Sequence, residues 1–421
     1  MPRLRIDVPL WLKRGGPSRR ARFPVLRKNL SVDVAVVGGG ITGAAVAWRF
    51  AEAGVNVAVV EGRRIGRGST AASTALLMQE PDEDLAVLVE RYGRRRAQRI
   101  WQLSREATHE FVETLNRLHI ECDLRRRDSV YYAMTANHAR RLRAEHRLRT
   151  EAGVRGLWLE GAALRRTLGF DAAAAIRTRG NAQVDPCKAS MGLIRAAARA
   201  GAKVFEASPV TAIRPSRRDV VLQTAGGTIR ADRVVIATGY ATAFDTLRRS
   251  RVRRGTPYFK TLDARFRMLT TYVVATRPLT PPERRRVGLS SVMLWDMDRP
   301  YHYARWTPDH RLILGGGDRP LRPERERKQA LEEGTRAVQD HFRGLYPALA
   351  DVPLEYGWEG LFATTPDGLP YIGPHRRYGR HLFALGYGGN GMTMGFLAAR
   401  LLLDWYRRDR SADLELFAFS R

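Results

Sequence analysis

The sequence predicts an α/β protein organised on a parallel sheet, and three observations carry that prediction. The first is the stretch from Val32 to Ser73, VDVAVVGGGITGAAVAWRFAEAGVNVAVVEGRRIGRGSTAAS. The second is the buried-strand pattern Arg233-Val234-Val235-Ile236-Ala237-Thr238-Gly239, far downstream. The third is a second glycine-rich entry into a helix, Gly386-Tyr387-Gly388-Gly389-Asn390-Gly391-Met392-Thr393.

Val32 to Val37 is a short valine-rich run that breaks into glycines, the pattern of a buried parallel strand entering a tight turn. Gly38, Gly40 and Gly43 stand in G-x-G-x-x-G spacing. Gly38 permits the turn, Gly40 lets the backbone approach a pyrophosphate, and Gly43 lets the helix lie close on the sheet. The helix predicted from Ile41 to Ala53 carries small residues at Ala44, Ala45 and Ala47. Its free N–H groups and positive dipole end, at Ile41 and Thr42, face the phosphates. Gly54 stops it, Val55 to Val60 forms a second strand, and Glu61 stands where the fingerprint places an acid for ribose hydroxyls. An ordinary strand-turn-helix would account for the glycines but not for Glu61. The unit therefore predicts a Rossmann-like domain with a bound dinucleotide.

The 421 residues suffice for two or three domains, and 44% hydrophobic content is that of a globular chain. No apolar run reaches the ~18 residues of a spanning helix; the longest, Met392 to Trp405, is broken by Arg400 and Asp404. The basic N-terminal region has no signal-peptide core, so a cytoplasmic protein without a membrane span is expected. Cys122 and Cys187 are the only cysteines and have no metal spacing. The net charge of +29 comes almost wholly from arginine. It fits an anionic partner such as RNA, but also an arginine-biased composition with solvated charges. No nucleic-acid module accompanies it, so no specific nucleic acid is expected.

Residues 1–31 read as an irregular lead-in that packs through Leu10 and Trp11. The loop after the second strand offers Ser69, Thr70, Ser73 and Thr74, small hydroxylated residues suited to phosphate oxygens. Asp84 to Leu118 is predicted helical, with Ile100, Leu103, Ala107, Phe111, Leu115 and Leu118 at helical spacing. Val130 to Met134 reads as a strand and His138 to Thr150 as a basic helix. The histidines there, His109, His138 and His146, sit among arginines on solvated faces, and no metal ligands are assigned. A helix from Ala189 to Ala200, a short strand from Lys203 to Glu206 and a hairpin around Gly226-Gly227 lead to the Val234 strand, where the chain can return to the nucleotide. Residues 245–350 read as a separate layer with strands at Met268–Ala275, Tyr301–Arg305 and Leu312–Leu314, then a helix from Arg325 to Tyr346. A strand at His381–Leu385 precedes the terminal helix.

The GGGITG turn with Glu61, the Val234–Gly239 strand, the PDGLPYIG stretch from Pro366 and GYGGNGM from Gly386 together resemble the D-amino-acid oxidase, glycine oxidase and sarcosine oxidase group of FAD-dependent oxidoreductases. The resemblance covers about residues 32–405. It implies an FAD-binding domain built from three separated segments, 32–83, 184–244 and 355–421, interleaved with a mainly antiparallel-sheet substrate domain at 84–183 and 245–354. It also implies FAD contacts at Gly38, Gly40, Gly43, Glu61, Arg63, Ser69, Val210, Thr238 and Gly239. Gly389, Asn390, Gly391, Met392 and Thr393 would lie beside the flavin ring. On the same resemblance Tyr301-His302-Tyr303-Ala304-Arg305 is the strand ending in the arginine that binds a substrate carboxylate, with Tyr301, Tyr303 and Tyr258 as pocket residues. An arginine suits a carboxylate because its planar fork can bind bidentately. Members that tether the flavin use a cysteine shortly before this TPD motif, and residues 359–367 contain none; the FAD is expected to be noncovalent.

The resemblance implies hydride transfer from a carbon next to an amine to flavin N5, giving an imine that hydrolyses, with oxygen or a carrier as electron acceptor. No side chain is assigned as acid or base. Two other functions stay open: oxidation of a 2-hydroxy acid or polyol phosphate on the same fold, and action on RNA-borne groups.

Overall fold

Valine-rich runs become neighbours in space. The computed structural model describes residues 5–13, 23–240, 248–249, 259–408 and 412–421. Strand Leu30–Val37 pairs in parallel with Val57–Val60 on one side and with Thr228–Gly239 on the other, in registers Val34↔Val57 and Ala35↔Val234. Lys203–Phe205 extends the sheet beyond Val57–Val60, and Tyr378–Leu385 lies parallel to the second half of Thr228–Gly239. The carboxyl ends of these strands therefore share one edge, where ligands bind in open α/β sheets. The residues are buried on both faces, which explains why the runs are continuous rather than alternating. Helices Ile41–Glu52, Pro186–Arg199 and Gly391–Arg408 pack together over this sheet, in a core that includes Ala45, Val46, Ile194 and Leu397. The predicted hairpin strand and the predicted strand at 233–239 are one strand of 12 residues, Thr228–Gly239.

The second layer is a ten-stranded sheet of mostly antiparallel pairs. Its centre runs in the order Leu354–Thr364, Arg267–Thr276, Leu312–Pro320, His302–Trp306, Val292–Asp296, Arg125–Ala133, Ala174–Gln183. Both layers match the α/β class with an antiparallel partner sheet. The long predicted helix is two, Leu85–Tyr92 and Arg94–Arg117, because Gly93 takes a positive φ of 77° between them.

Three features depart from the sequence reading. Leu354–Thr364 pairs along its length with Arg267–Thr276, so residues 355–364, expected in the nucleotide segment, belong to the second sheet. Ala174–Gln183 is a strand that Arg177 and Arg179 disguise. The lead-in carries a short strand: Arg5–Ile6 joins the second sheet beside Leu354–Thr364, while Leu10 and Trp11 are fully buried, as the sequence reading had them. Tyr258 lies outside the described residues.

Candidate active site

A cavity of about 970 Å³ opens between the carboxyl edge of the parallel strands and the face of the second sheet. That is near the top of the roughly 300–1,000 Å³ range of small-molecule sites. Its first wall comes from the sequence fingerprint. Gly38, Gly40, Ile41 and Thr42 line it, and the helix beginning at Ile41 has no side-chain cap on its N-cap Gly40. The amide of Ile41 donates to Thr70 Oγ1 at 2.9 Å, while the uncapped end presents its dipole to the cavity. Gly38 has φ +107°, and a Cβ there would stand 2.5 Å from the Ala237 carbonyl oxygen.

Glu61 lines the same wall with both oxygens held. Gly39 N donates to Oε2 at 2.8 Å and Arg63 N to Oε1 at 2.7 Å. Burial raises its pKa, opposed by those two amide hydrogen bonds. Arg63, Ser69, Thr70, Ser73 and Thr74 continue the lining, as do Val210, Thr238 and Gly239 from the downstream stretch. Thr238 Oγ1 is buried without a hydrogen-bond partner. A helix start facing the cavity, an accepting carboxylate and an orphaned hydroxyl on one wall are the donors and acceptor that a dinucleotide requires. The third stretch contributes Gly389, Asn390, Gly391 and Met392. Asn390 is anchored by donation from Nδ2 to the carbonyls of Glu80 at 2.9 Å and Met78 at 3.2 Å.

Three expected residues do not line the cavity. Gly43 serves packing: a Cβ there would sit 1.9 Å from the Gly38 carbonyl oxygen. Thr393 is fully buried and donates to the Met78 carbonyl at 3.0 Å, holding the terminal helix to the chain before Asp82. Arg305 requires a correction. It is 1% exposed, and its Nη1 donates to the carbonyls of Thr74 at 2.6 Å, Ala75 at 3.0 Å and Val184 at 2.8 Å. Its guanidinium also lies over the Trp11 ring, 5.1 Å from the centroid. Arg305 shares a strand face with Tyr303 but lies two residues further on, under the Ser69–Thr74 loop and beyond the cavity, while Tyr301 and Tyr303 do reach it.

The opposite wall comes from the second sheet and was not read from the sequence beyond those tyrosines. Thr271, Trp295, Arg299 and Asp318 join Tyr301 and Tyr303 there, and Asp82 enters from the loop before Leu85. The Tyr303 hydroxyl lies 3.1 Å from Thr271 Oγ1, and its ring lies across Gly315, where a Cβ would be 2.4 Å away. Trp295 stacks on Tyr131 with centroids 3.8 Å apart. Arg299 is exposed at the mouth, with its guanidinium 5.6 Å from the Tyr301 ring centre. Asp82 Oδ2 accepts a hydrogen bond from Gly389 N. Burial pushes the Asp82 carboxyl up to about 7 and the Asp318 carboxyl up to about 6.

Among the described residues, Asp296, His302 and His341 form one cluster of metal-ligand type, with ligand atoms within 4.8 Å of one another. The two imidazoles are stacked at 3.8 Å and 13°. Their nitrogens run side by side, so a shared ion would lie out of both ring planes, where the lone pairs do not point. Asp296 Oδ1 instead accepts from the amides of Asp298 at 3.1 Å and His302 at 3.0 Å. The cluster thus fastens the turn that carries Arg299 and Tyr301.

The sequence profile described as DAO, FAD dependent oxidoreductase, matches residues 33–405. The chain belongs to that family, and its cofactor is FAD. It is 28% identical over 395 residues to gamma-glutamylputrescine oxidoreductase of Escherichia coli K12, covering 93% of this chain and 87% of that protein. It is 28% identical over 396 residues to glycine oxidase of Geobacillus kaustophilus, covering 92% and 97%. The crystal structure of the Geobacillus enzyme superposes with a TM-score of 0.74 at 24% identity, covering 93% of this chain and 99% of that one. L-amino acid deaminase from Proteus vulgaris superposes with a TM-score of 0.75 at 15% identity, covering 96% and 100%. These two likenesses show the fold. No helix of the described residues is long and apolar enough to cross a membrane.

Proposed function

We propose that the protein oxidises an amine or amino acid at the carbon next to nitrogen, with FAD held noncovalently along the cavity and the substrate between Asp82, Trp295, Tyr301 and Tyr303. One observation carries this: three stretches far apart in sequence, around Gly38, Thr238 and Gly389, meet on a single cavity whose other wall is aromatic and charged. The names of the relatives support the substrate class, since they include a glycine oxidase and a gamma-glutamylputrescine oxidoreductase. Noncovalent binding is supported by a lining that, among the described residues, holds no cysteine or histidine. The free, buried Cys122 and Cys187 fit the reducing cytoplasm.

Bound flavin would supply the acceptor for a hydride, which carries the two electrons of the oxidation. The chain's own residues bind and orient. Glu61 takes ribose hydroxyls, and the helix start at Ile41 faces the pyrophosphate. The start of helix Gly391–Arg408 directs its positive dipole end toward developing negative charge. Arg299 at the mouth takes the carboxylate role in place of Arg305. The tyrosines and Trp295 exclude water.

The test is anaerobic flavin bleaching by a panel of amino acids, N-methyl amines and 2-hydroxy acids. Bleaching by amines or amino acids is expected, with acid or heat releasing free FAD. In Arg299→Ala, half-saturation should rise about tenfold or more for carboxylate substrates and stay near wild type for simple amines. Bleaching by hydroxy acids alone would reject amine oxidation. Subsequent reoxidation in air against an artificial electron carrier separates the two acceptor classes.

A further inference from the structure

The inner end of the cavity is charged against the trend of the chain. The protein carries a net +29, yet the carboxylates Asp82 and Asp318 stand beside the rings of Trp295, Tyr301 and Tyr303. The nearby cation Arg327 is already paired with Glu359 and with Glu324 at 3.2 Å. Arg299 stands at the exposed mouth. Asp82 has one oxygen on the Gly389 amide, and Asp318 Oδ1 is buried without a hydrogen-bond partner. Ideal Cβ positions show how the groups converge: one on Gly389 would lie 2.3 Å from the Tyr301 hydroxyl and 3.3 Å from Asp82 Oδ1. Two carboxylates with acceptor capacity to spare, walled by aromatic faces, form a receptacle for a cation.

We propose that Asp82 and Asp318 are the amine-recognition pair of this site: together they hold the substrate nitrogen as a cation, and Asp82 then removes its proton. The inference rests on the amine-oxidation reading above and supplies the base that the sequence left unassigned. One N–H bond of the ammonium breaks, its electron pair stays on nitrogen, and the proton forms an O–H bond on the Asp82 carboxylate. The neutral amine that results can release a hydride from the adjacent carbon, since its lone pair stabilises the iminium; an ammonium has no lone pair to do so. The substrate class is thus an aliphatic amine or amino acid that arrives protonated on nitrogen.

The electrostatics agree with that task. Burial, then the neighbouring charges of Glu83 and Asp318, bring Asp82 up to about 7 against the Gly389 amide and Arg299. Tyr301 faces it from the adjoining strand, its own hydroxyl held neutral by burial. A base whose pKa lies near the working pH combines availability with proton affinity.

Calorimetric titration of the FAD-loaded protein with n-propylammonium, and separately with propionate, tests this between pH 6 and 9. Wild-type affinity for n-propylammonium should rise as Asp82 ionises through about pH 7. Asp82→Asn, which keeps an acceptor for Gly389 N, should bind it about 10–100-fold more weakly and lose that pH-dependent rise. Asp318→Asn should bind it more weakly and keep the rise. Propionate affinity should not fall in either variant, and FAD content reports that both are folded. Wild-type affinity and pH profile in Asp82→Asn overturn the inference, even if amines bleach the flavin. If no amine or amino acid bleaches the flavin, the oxidation reading on which it rests fails instead.

Discussion

Arg305 lies under the loop that follows Glu61, and its neighbours there act on successive residues of one chain segment. Trp358 Nε1 donates to the Ala72 carbonyl at 2.9 Å, and Trp11 Nε1 to the Ser73 carbonyl at 2.8 Å. Arg305 holds those of Thr74 and Ala75. Its removal takes a donor from the buried carbonyls of Thr74 and Val184, each costing about 1–3 kcal/mol, while the Ala75 carbonyl keeps the Val184 amide at 3.3 Å. Arg305→Ala is therefore expected to lower stability by on the order of 3 kcal/mol and to weaken FAD retention; denaturant unfolding and flavin release measure both. Selective loss of carboxylate substrates with unchanged stability would restore the substrate role. The sequence placed Arg305 at the site because a strand motif does not say how far along the strand the cavity reaches: Arg305 shares the face of Tyr303 but lies two residues further on, beneath the loop. Asp82, Asp318 and Trp295 left no local signal. They are brought together by long-range pairing such as Val292–Asp296 against Arg125–Ala133.

At the scale of elements, the nucleotide unit was legible because its signals are local: a valine run, three spaced glycines, an acid. The structure returns it almost residue for residue, with helix Ile41–Glu52 between strands ending at Val37 and Val60. Gly43 shows how little freedom that unit has. A methyl group at this position would press on the backbone of Gly38, which cannot swing aside as a side chain would. Gly43→Ala should force helix and strand apart, costing about 1–3 kcal/mol or more and displacing the helix start from the cavity. Bound flavin per chain and the thermal midpoint should both fall; a variant with full flavin and unchanged midpoint would contradict this packing. Leu354–Thr364 was harder to read, since its side of the molecule depends on a partner nearly a hundred residues upstream, Arg267–Thr276.

Across the whole molecule, distant segments are joined around Asp367. Arg421 forks onto both of its oxygens, at 2.6 and 2.8 Å, and also donates to the carbonyls of Leu369 and Pro370. The Tyr92 hydroxyl donates to the same carboxylate from the end of helix Leu85–Tyr92. Burial pushes the Asp367 carboxyl up, but the bonds and charge of Arg421, with Tyr92 and Thr365, hold it well below the usual carboxylate range. A depressed native pKa contributes stability that is present above the unfolded value of about 4 and is lost as pH falls below it. Arg421 is 4% exposed and Asp367 17%, so the pair is little screened. Arg421→Ala should remove on the order of 3 kcal/mol at pH 7 and flatten the loss of stability below about pH 4. Unfolding curves of both proteins at pH 7 and pH 3 provide the check; parallel curves would exclude the linkage.

The row of carbonyls from Ala72 to Ala75, each gripped by a buried side chain, also bears on kinetics. A recognition segment already locked in its final shape loses little configurational freedom when a ligand arrives. Flavin-stripped protein should thus take up FAD in one bimolecular phase, its observed rate linear in FAD concentration, without the plateau that a slow ordering step imposes. Freeing that row, as in Trp11→Phe, removes one donor while preserving an aromatic ring, and should make the rate level off at high FAD.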